Sequence, residues 1–159
     1  MKIKIITIGK LKEKYLVEGI KEYTKRLQAY TKVEFIEVSD EPIPDKCSDA
    51  TALIIKEKEG SKVLTKIKDN EFVIVLDVVG KQIDSIGLSK LMEKCMIEGK
   101  STITFVIGGS LGHGKEILNR ANFALSFSKM TFPHQLMKLI MMEQIYRGFK
   151  IMKNESYHK

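Results

Sequence analysis

Two continuous apolar runs constrain the fold of this chain more than any other feature. Residues 72–76 are Phe-Val-Ile-Val-Leu and residues 103–107 are Ile-Thr-Phe-Val-Ile. Such runs are typical of strands that are covered on both faces, as in a parallel sheet. The segment between them predicts a helix over residues 85–98 that stops at Gly99, so we expect a helical crossover between two parallel strands.

The rest of the chain continues this alternation of strands and helices. Hydrophobic periodicity predicts strands over residues 2–8, 33–38 and 123–127 and helices over residues 12–30, 115–120 and 133–153, with a further helix that follows a Ser48 cap and reaches residue 67. A chain of 159 residues can bury one core without disulfides. We therefore predict a single α/β domain, residues 1–159, with a mostly parallel sheet flanked by helices and ligands at the carboxyl ends of its strands.

The N-terminal segment and the two cysteines bear on the cellular compartment. Residues 1–9 alternate charged and apolar side chains, which predicts a strand and not a signal peptide. No segment reaches the roughly 18 uninterrupted apolar residues of a membrane span. Cys47 and Cys95 lie far apart and outside any CxxC pattern, which favours free thiols over a disulfide or a metal site. We expect a cytoplasmic protein.

Positive charge is concentrated toward the end of the chain. The net charge is +7, and residues 113–159 carry eight Lys or Arg against three acidic residues. This distribution favours a polyanionic partner, although a lysine-rich solvated surface is an alternative. Arg26, Arg120 and Arg147 are the only arginines, and Arg147 lies in the basic region. Because arginine suits bidentate phosphate contact, we expect Arg147 to face the partner.

The last predicted helix is apolar nearly all round. Every residue in 136–142 except Lys138 is apolar. One side of such a helix can pack on its own sheet, but the other side needs a second surface. The simplest second surface is another copy of the chain, which predicts a homodimer. A methionine-rich core helix without a dimer is the alternative.

A glycine-rich loop, residues 108–115, follows the second apolar run. It allows close approach of backbone N–H groups to a ligand, which suggests phosphate binding. From Gly109 to Lys115 it matches the GxxxxGK pattern of a Walker A loop, and residues 72–77 resemble a Walker B strand. Glu116, however, stands where a Ser or Thr hydroxyl should hold Mg²⁺, which argues against nucleotide hydrolysis.

Four segments together resemble one known family. They are the strand that ends Leu76-Asp77 before Gly80-Lys81, the run Phe105-Val106-Ile107-Gly108-Gly109-Ser110, residues 124–134 (Ala-Leu-Ser-Phe-Ser-Lys-Met-Thr-Phe-Pro-His) and the final Ser156-Tyr157-His158-Lys159. In this order they resemble the RlmH family, the SPOUT-class methyltransferases that modify N3 of a pseudouridine in large-subunit ribosomal RNA. The resemblance spans the full chain.

The resemblance implies a trefoil knot over about residues 71–159, an obligate homodimer and S-adenosylmethionine as the cofactor. It also implies a set of residues that border this cofactor: Leu76, Gly108, Phe127, Ser128, Lys129, Met130, Thr131 and Phe132. Gly108 is expected to let the backbone approach the cofactor. The loop departs from the family pattern at Leu111, which replaces a usually polar residue, and at His113, which replaces a usually apolar one.

Three histidines are candidates for moving a proton. His113 is expected to be a solvated loop residue. His134 follows Pro133 at a predicted helix start, where the helix dipole disfavours imidazolium and keeps a neutral base available; a hydrogen-bonded structural histidine is the alternative. His158, with Tyr157 and Lys159, offers a titratable ring, a stacking face and a phosphate contact suited to an unstacked RNA base; a disordered chain end is the alternative.

The resulting prediction is methyl transfer from S-adenosylmethionine to N3 of a pseudouridine in a stem-loop of large-subunit (23S) ribosomal RNA, on the assembled ribosome and without a metal. We expect His134, Arg147 and His158 to serve catalysis, and Arg147, Tyr157 and His158 to bind substrate. Residues 155–159 carry no aliphatic side chain, so their deletion is expected to leave stability nearly unchanged. The alternatives are a non-catalytic knotted dimer that binds RNA or the ribosome, and a P-loop-like nucleotide-binding protein.

Overall fold

The computed structural model describes residues 1–159 as ten alternating strands and helices. The predicted elements are all present, and their ends differ from the prediction by a few residues. In chain order they are β1 (Lys2–Ile8), α1 (Lys14–Leu27), β2 (Lys32–Val38), α2 (Asp49–Leu64), β3 (Phe72–Gln82), α3 (Ser85–Ile97), β4 (Thr102–Ile107), α4 (Lys115–Arg120), β5 (Phe123–Ser126) and α5 (His134–Met152).

The five strands form one fully parallel sheet in the order β2-β1-β4-β3-β5. The two apolar runs of the sequence are neighbours in it, with Ile74 of β3 opposite Phe105 of β4. This confirms the predicted class of fold. Because every strand points the same way, all carboxyl ends meet at one edge of the sheet.

Helices cover both faces of the sheet. On one face, α1, α3 and α5 bury the larger core, in which α5 packs against both α1 and α3. On the other face, α2 and α4 cover a smaller core that includes Val63 and Ile117. Both apolar runs are therefore covered from two sides, as their composition predicts.

None of the helices combines the length and the apolar character that a membrane span requires.

The predicted end of the third strand is wrong. Asp77 does not terminate β3, which continues to Gln82 through an irregularity in its pairing with β5 between Leu76 and Lys81. A Cβ at Gly80 would lie 2.7 Å from the Ala124 carbonyl oxygen of β5, which is too close for a side chain. Glycine at this position therefore allows β3 to pass beside β5.

Lys138 is buried, although it is the single polar residue in the apolar part of α5. Its Nζ lies 4.8 Å from the centre of the Phe35 ring, and burial lowers the pKa of its ammonium group. The exposed fraction of Leu136 and Ile140 is intermediate, so this stretch of α5 is not fully covered within one chain.

Candidate active site

A cavity of about 690 Å³ opens at the carboxyl edge of the sheet. Three segments form its walls: residues 76–78, which follow the part of β3 that pairs with β4, the end of β4 with the glycine-rich loop at residues 107–113, and residues 125–134 excluding Lys129. Met137 of α5 completes the lining. The sequence places all three segments after buried strands, and the parallel sheet brings them together.

Seven of the eight residues predicted to border a cofactor line this cavity. Lys129 is the exception, since it is exposed and lies outside the wall. The seven are Leu76, Gly108, Phe127, Ser128, Met130, Thr131 and Phe132.

The loop after β5 is held by one hydrogen bond to β3 and one within the loop itself. The Ser126 hydroxyl, which is buried, lies 2.9 Å from the Val78 carbonyl oxygen and donates to it. The Met130 backbone N–H donates to the Ser128 hydroxyl at 3.0 Å. The first contact fixes the loop to β3, and the second shapes the turn that closes the cavity.

His134 lies in the cavity wall as the first residue of α5, directly after Pro133. Its Nε2 is 3.7 Å from the position that a Cβ on Gly9 would take. The ring therefore lies between the end of β1 and the cavity. Of the three predicted catalytic residues, His134 is the one that the cavity contains.

His113 is not a solvated loop residue, and that prediction is wrong. Its Nε2 lies 2.9 Å from the Leu76 carbonyl oxygen, which can only accept, so Nε2 carries a hydrogen. Its Nδ1 is buried without a hydrogen-bond partner. Burial lowers the pKa of the ring, although the Leu76 contact and the Asp77 charge oppose this effect. The ring is therefore neutral near neutral pH.

The geometry does not favour the P-loop alternative. Lys115 and Glu116 are exposed and lie outside the cavity wall, whereas a P-loop lysine reaches into the phosphate site. The loop instead forms a tight turn, in which the Gly112 N–H donates to the Gly109 carbonyl at 3.1 Å. No group of three or more potential metal ligands is present.

Arg147 lies in a second cluster, outside the cavity. Its Nε and Nη2 donate to Glu143 at 3.0 and 2.6 Å, and its guanidinium lies 4.7 Å from the centre of the Tyr157 ring. Its Nη1 lies 3.1 Å from His158 Nδ1. Because arginine only donates, Nδ1 accepts and the remaining hydrogen of a neutral His158 is on Nε2.

Residues 155–159 make contacts with the rest of the protein, which argues against the prediction that their deletion leaves stability nearly unchanged. Tyr157 packs edge-on against Tyr146, with ring centres 5.0 Å apart, and its hydroxyl donates to Glu143 at 3.1 Å. Burial is the main cause that raises the pKa of Tyr157 to about 12. Glu155 accepts hydrogen bonds from Tyr30 and Lys150, both at 2.8 Å.

One chain does not bring its predicted catalytic residues together. His134 and Arg147 lie on the same helix, thirteen residues apart. At 1.5 Å per residue this separation is about 20 Å along the axis, which exceeds the reach of their side chains. His158 stays at the distant end because it contacts Arg147.

Several wall residues were not predicted from the sequence, among them Asp77, Val78, Ile107 and Ser126. The available signal was the rule that ligands bind at the carboxyl ends of parallel strands. Applied to the predicted strands over residues 72–76, 103–107 and 123–127, that rule points to these positions.

Comparison with known proteins gives concordant results over the whole chain. A family model described as "Predicted SPOUT methyltransferase" matches residues 1–158. A protein of Enterococcus faecalis named ribosomal RNA large subunit methyltransferase H is 59% identical over 159 residues, which is 100% of both chains. Proteins of the same name from Clostridium novyi and Clostridium botulinum are 57% and 56% identical, again over 100% of both chains.

Proposed function

The chain belongs to the SPOUT methyltransferase family, and from this premise we propose that it methylates large-subunit ribosomal RNA with S-adenosylmethionine as the methyl donor. The proposed acceptor is N3 of a pseudouridine in a stem-loop of 23S rRNA, on the assembled ribosome. Such a substrate places the protein in the cytoplasm. The observation that carries the proposal is the cavity, whose three walls converge at the carboxyl edge of the sheet.

The cavity suits a ligand of this kind. Its volume of about 690 Å³ lies within the range of roughly 300–1,000 Å³ typical of small-molecule sites. Apolar side chains such as Leu76 and Phe127 can contact a purine, while the backbone around Gly108 and the Ser128 hydroxyl offer polar contacts. Leu76, Gly108 and residues 127–132, apart from Lys129, would hold the donor.

The donor supplies an electrophilic methyl group on a sulfonium. Transfer to an imide nitrogen would form an N–CH3 bond as the S–CH3 bond breaks, with the neutral thioether S-adenosylhomocysteine as the leaving group. It also requires loss of the N–H proton, so the protein must align the acceptor and provide a base. His134 is the proposed base because its ring lies in the cavity wall. Tyr157 and His158 are proposed to stack on and orient the RNA base.

A homodimer resolves the separation within one chain. Since His134 and Arg147 lie about 20 Å apart on α5, an antiparallel pairing of two such helices would bring the Arg147 end of one copy to the cavity of the other. Apolar side chains exposed beside the cavity support a partner surface there; they are Val78, Val79, Ile86 and Met130.

The existing contacts of Arg147 limit how its guanidinium could bind RNA. The guanidinium is occupied by Glu143, Tyr157 and His158. Arg147 therefore acts first by ordering residues 157–158, and a phosphate contact would have to use a donor that is not already engaged. The surplus of positive charge in residues 113–159 supplies long-range attraction to RNA.

The proposed trefoil knot comprises about residues 71–159. Two contacts support it. β5 pairs with β3 on both sides of the irregularity at Leu76 and Lys81, and Ser126 bonds to Val78 inside that irregular stretch. Residues 123–126 thus lie against the segment that follows the first apolar run, as the proposed knot requires.

Methyl transfer to ribosomes is the direct test. Ribosomes from a strain that lacks this modification are incubated with the protein and methyl-labelled S-adenosylmethionine, and the label is mapped to a nucleotide. We expect one labelled pseudouridine in 23S rRNA. Binding of the donor and the ribosome with no transfer would favour the non-catalytic dimer.

Calorimetric titration separates the methyltransferase from the P-loop alternative. S-adenosylmethionine should bind, and ATP with Mg²⁺ should not. Lys115→Ala should leave donor affinity unchanged because Lys115 lies outside the cavity wall. Binding of ATP that depends on Lys115, with no binding of S-adenosylmethionine, would contradict the proposal.

A further inference from the structure

The His113 ring connects two walls of the cavity. It belongs to the glycine-rich loop after β4, yet its Nε2–H donates to the carbonyl oxygen of Leu76 in β3. Both residues line the cavity. This hydrogen bond therefore sets the distance between Leu76 and the loop, just beyond the residues of β3 that pair with β4.

The same ring explains why residue 108 is a glycine. A Cβ at Gly108 would lie 3.0 Å from His113 Cε1 and 3.2 Å from each ring nitrogen. These distances are tighter than ordinary van der Waals contact. The missing side chain at Gly108 thus makes room for the imidazole, so the sequence expectation that it serves cofactor approach alone is incomplete.

The buried Nδ1 indicates that this arrangement has a function. A neutral Nδ1 is an acceptor, and in this ring it has no partner. Leaving a buried acceptor unsatisfied costs free energy, which an apolar side chain of similar size would avoid. The imidazole offers what such a side chain lacks, namely the donor that holds the Leu76 carbonyl.

We propose that His113 is a positioning residue for methyl-donor binding, which fixes the Leu76 carbonyl and the glycine-rich loop as one rigid wall of the cavity. The proposal rests on the proposed function of that cavity. His113 takes no part in the chemical step. Its loss therefore weakens donor binding and leaves the rate at saturating donor unchanged.

The ring can be examined without any cofactor. Nitrogen-15 NMR of histidine-labelled protein reports which ring nitrogen carries the hydrogen. We expect His113 to have hydrogen on Nε2 and none on Nδ1, and to resist protonation at pH values where a solvent-exposed imidazole becomes charged. A His113 signal with hydrogen on Nδ1, or one that titrates like an exposed histidine, would overturn the proposal.

Matched variants then test the role in binding. His113→Phe keeps a ring but removes the donor, whereas His113→Gln can place an N–H near the position of Nε2. The dissociation constant for S-adenosylmethionine should rise roughly tenfold in the first variant, the effect of one ordinary hydrogen bond, and stay within about threefold of wild type in the second. The maximal methylation rate should remain unchanged in both.

Two outcomes distinguish failure of the positioning role of His113 from failure of the proposed function. Equal donor affinity in His113→Phe and wild type would refute the positioning role. If wild-type protein itself does not bind S-adenosylmethionine, the proposed function fails, while the NMR spectrum still decides the geometry of His113. Should His113→Phe unfold, His113→Ala provides a second comparison, because it removes the ring and adds no atoms beside Gly108. That variant should also bind the donor more weakly than wild type, and wild-type affinity would refute the role.

Discussion

Lys4, Glu71 and Thr104 form a buried polar group that the sequence pattern does not reveal. The Lys4 ammonium donates to Glu71 at 2.6 Å and to the Lys66 carbonyl at 2.9 Å, and the Thr104 hydroxyl donates to the other Glu71 oxygen at 2.6 Å. Burial opposes ionisation of Glu71, but these hydrogen bonds outweigh it and lower its pKa. Lys4 looks like an outward-facing strand residue in the sequence because its partner lies 67 positions away.

Replacing Lys4 by methionine should destabilise the protein by about 3–5 kcal/mol, because it leaves the buried Glu71 carboxylate without its cation. Adding Glu71→Gln should restore part of this loss, since glutamine is neutral and still accepts from Thr104. Chemical denaturation gives the free energy of unfolding of each protein. If Lys4→Met is as stable as wild type, the ion pair between Lys4 and Glu71 does not form in solution.

His113 also makes stability depend on pH. Its folded-state pKa is lowered from the ordinary value of about 6.5, mainly by burial. The unfolded chain therefore takes up a proton below about pH 6.5 that the folded chain resists, and the free energy of unfolding falls as pH decreases through that window.

The expected result is that wild type loses more stability than His113→Phe between about pH 7.5 and about pH 5.5. All other titrating groups are shared by the two proteins, so the difference isolates His113. Urea denaturation at both pH values provides the measurement. An identical loss in the two proteins would show that the ring is accessible to protons in the folded state.

At the scale of elements, hydrophobic periodicity located every strand and helix but not their tertiary contacts. The apolar runs of β3 and β4 pack into the two cores as predicted. The continuation of β3 past Asp77 was missed because it depends on pairing with β5, a contact between distant parts of the chain. The docking of residues 155–159 was missed for the same reason.

Deleting residues 155–159 should destabilise the protein by about 1–3 kcal/mol, because it removes the Tyr157–Tyr146 aromatic pair and the buried area of Tyr157. Tyr157→Phe is the matched control, since it keeps the ring and removes only the hydrogen bond to Glu143. Thermal unfolding compares the three proteins. Unchanged stability of the deletion variant would mean that this segment is undocked in solution.

At the scale of the whole molecule, the sequence predicts one cavity but not a complete site. The converging walls follow from the order of strands and from the family resemblance, and seven of the eight expected cofactor residues lie in them. Arg147, Tyr157 and His158 lie together at the other end of α5. The separation of His134 and Arg147 follows from the predicted helix over residues 133–153. The docking of Tyr157 and His158 beside Arg147 does not, because it depends on contacts that the chain makes after that helix ends.

A mixed dimer tests most directly whether the cavity of one copy works with the C-terminal cluster of the other. Gly108→Val should block the cavity, since its branched Cβ meets the His113 ring, and His158→Ala should disable the cluster without unfolding the protein, because His158 is exposed. Each homodimer should therefore be inactive in ribosome methylation.

Dimers that pair one Gly108→Val copy with one His158→Ala copy, purified through two different tags, should recover about half of the wild-type activity, because one of the two composite sites is intact. Dimers that pair wild type with a copy carrying both substitutions should be inactive, since each site then contains one defect. The opposite pattern, with an inactive first dimer and an active second one, would contradict the composite site and assign catalysis to a single chain.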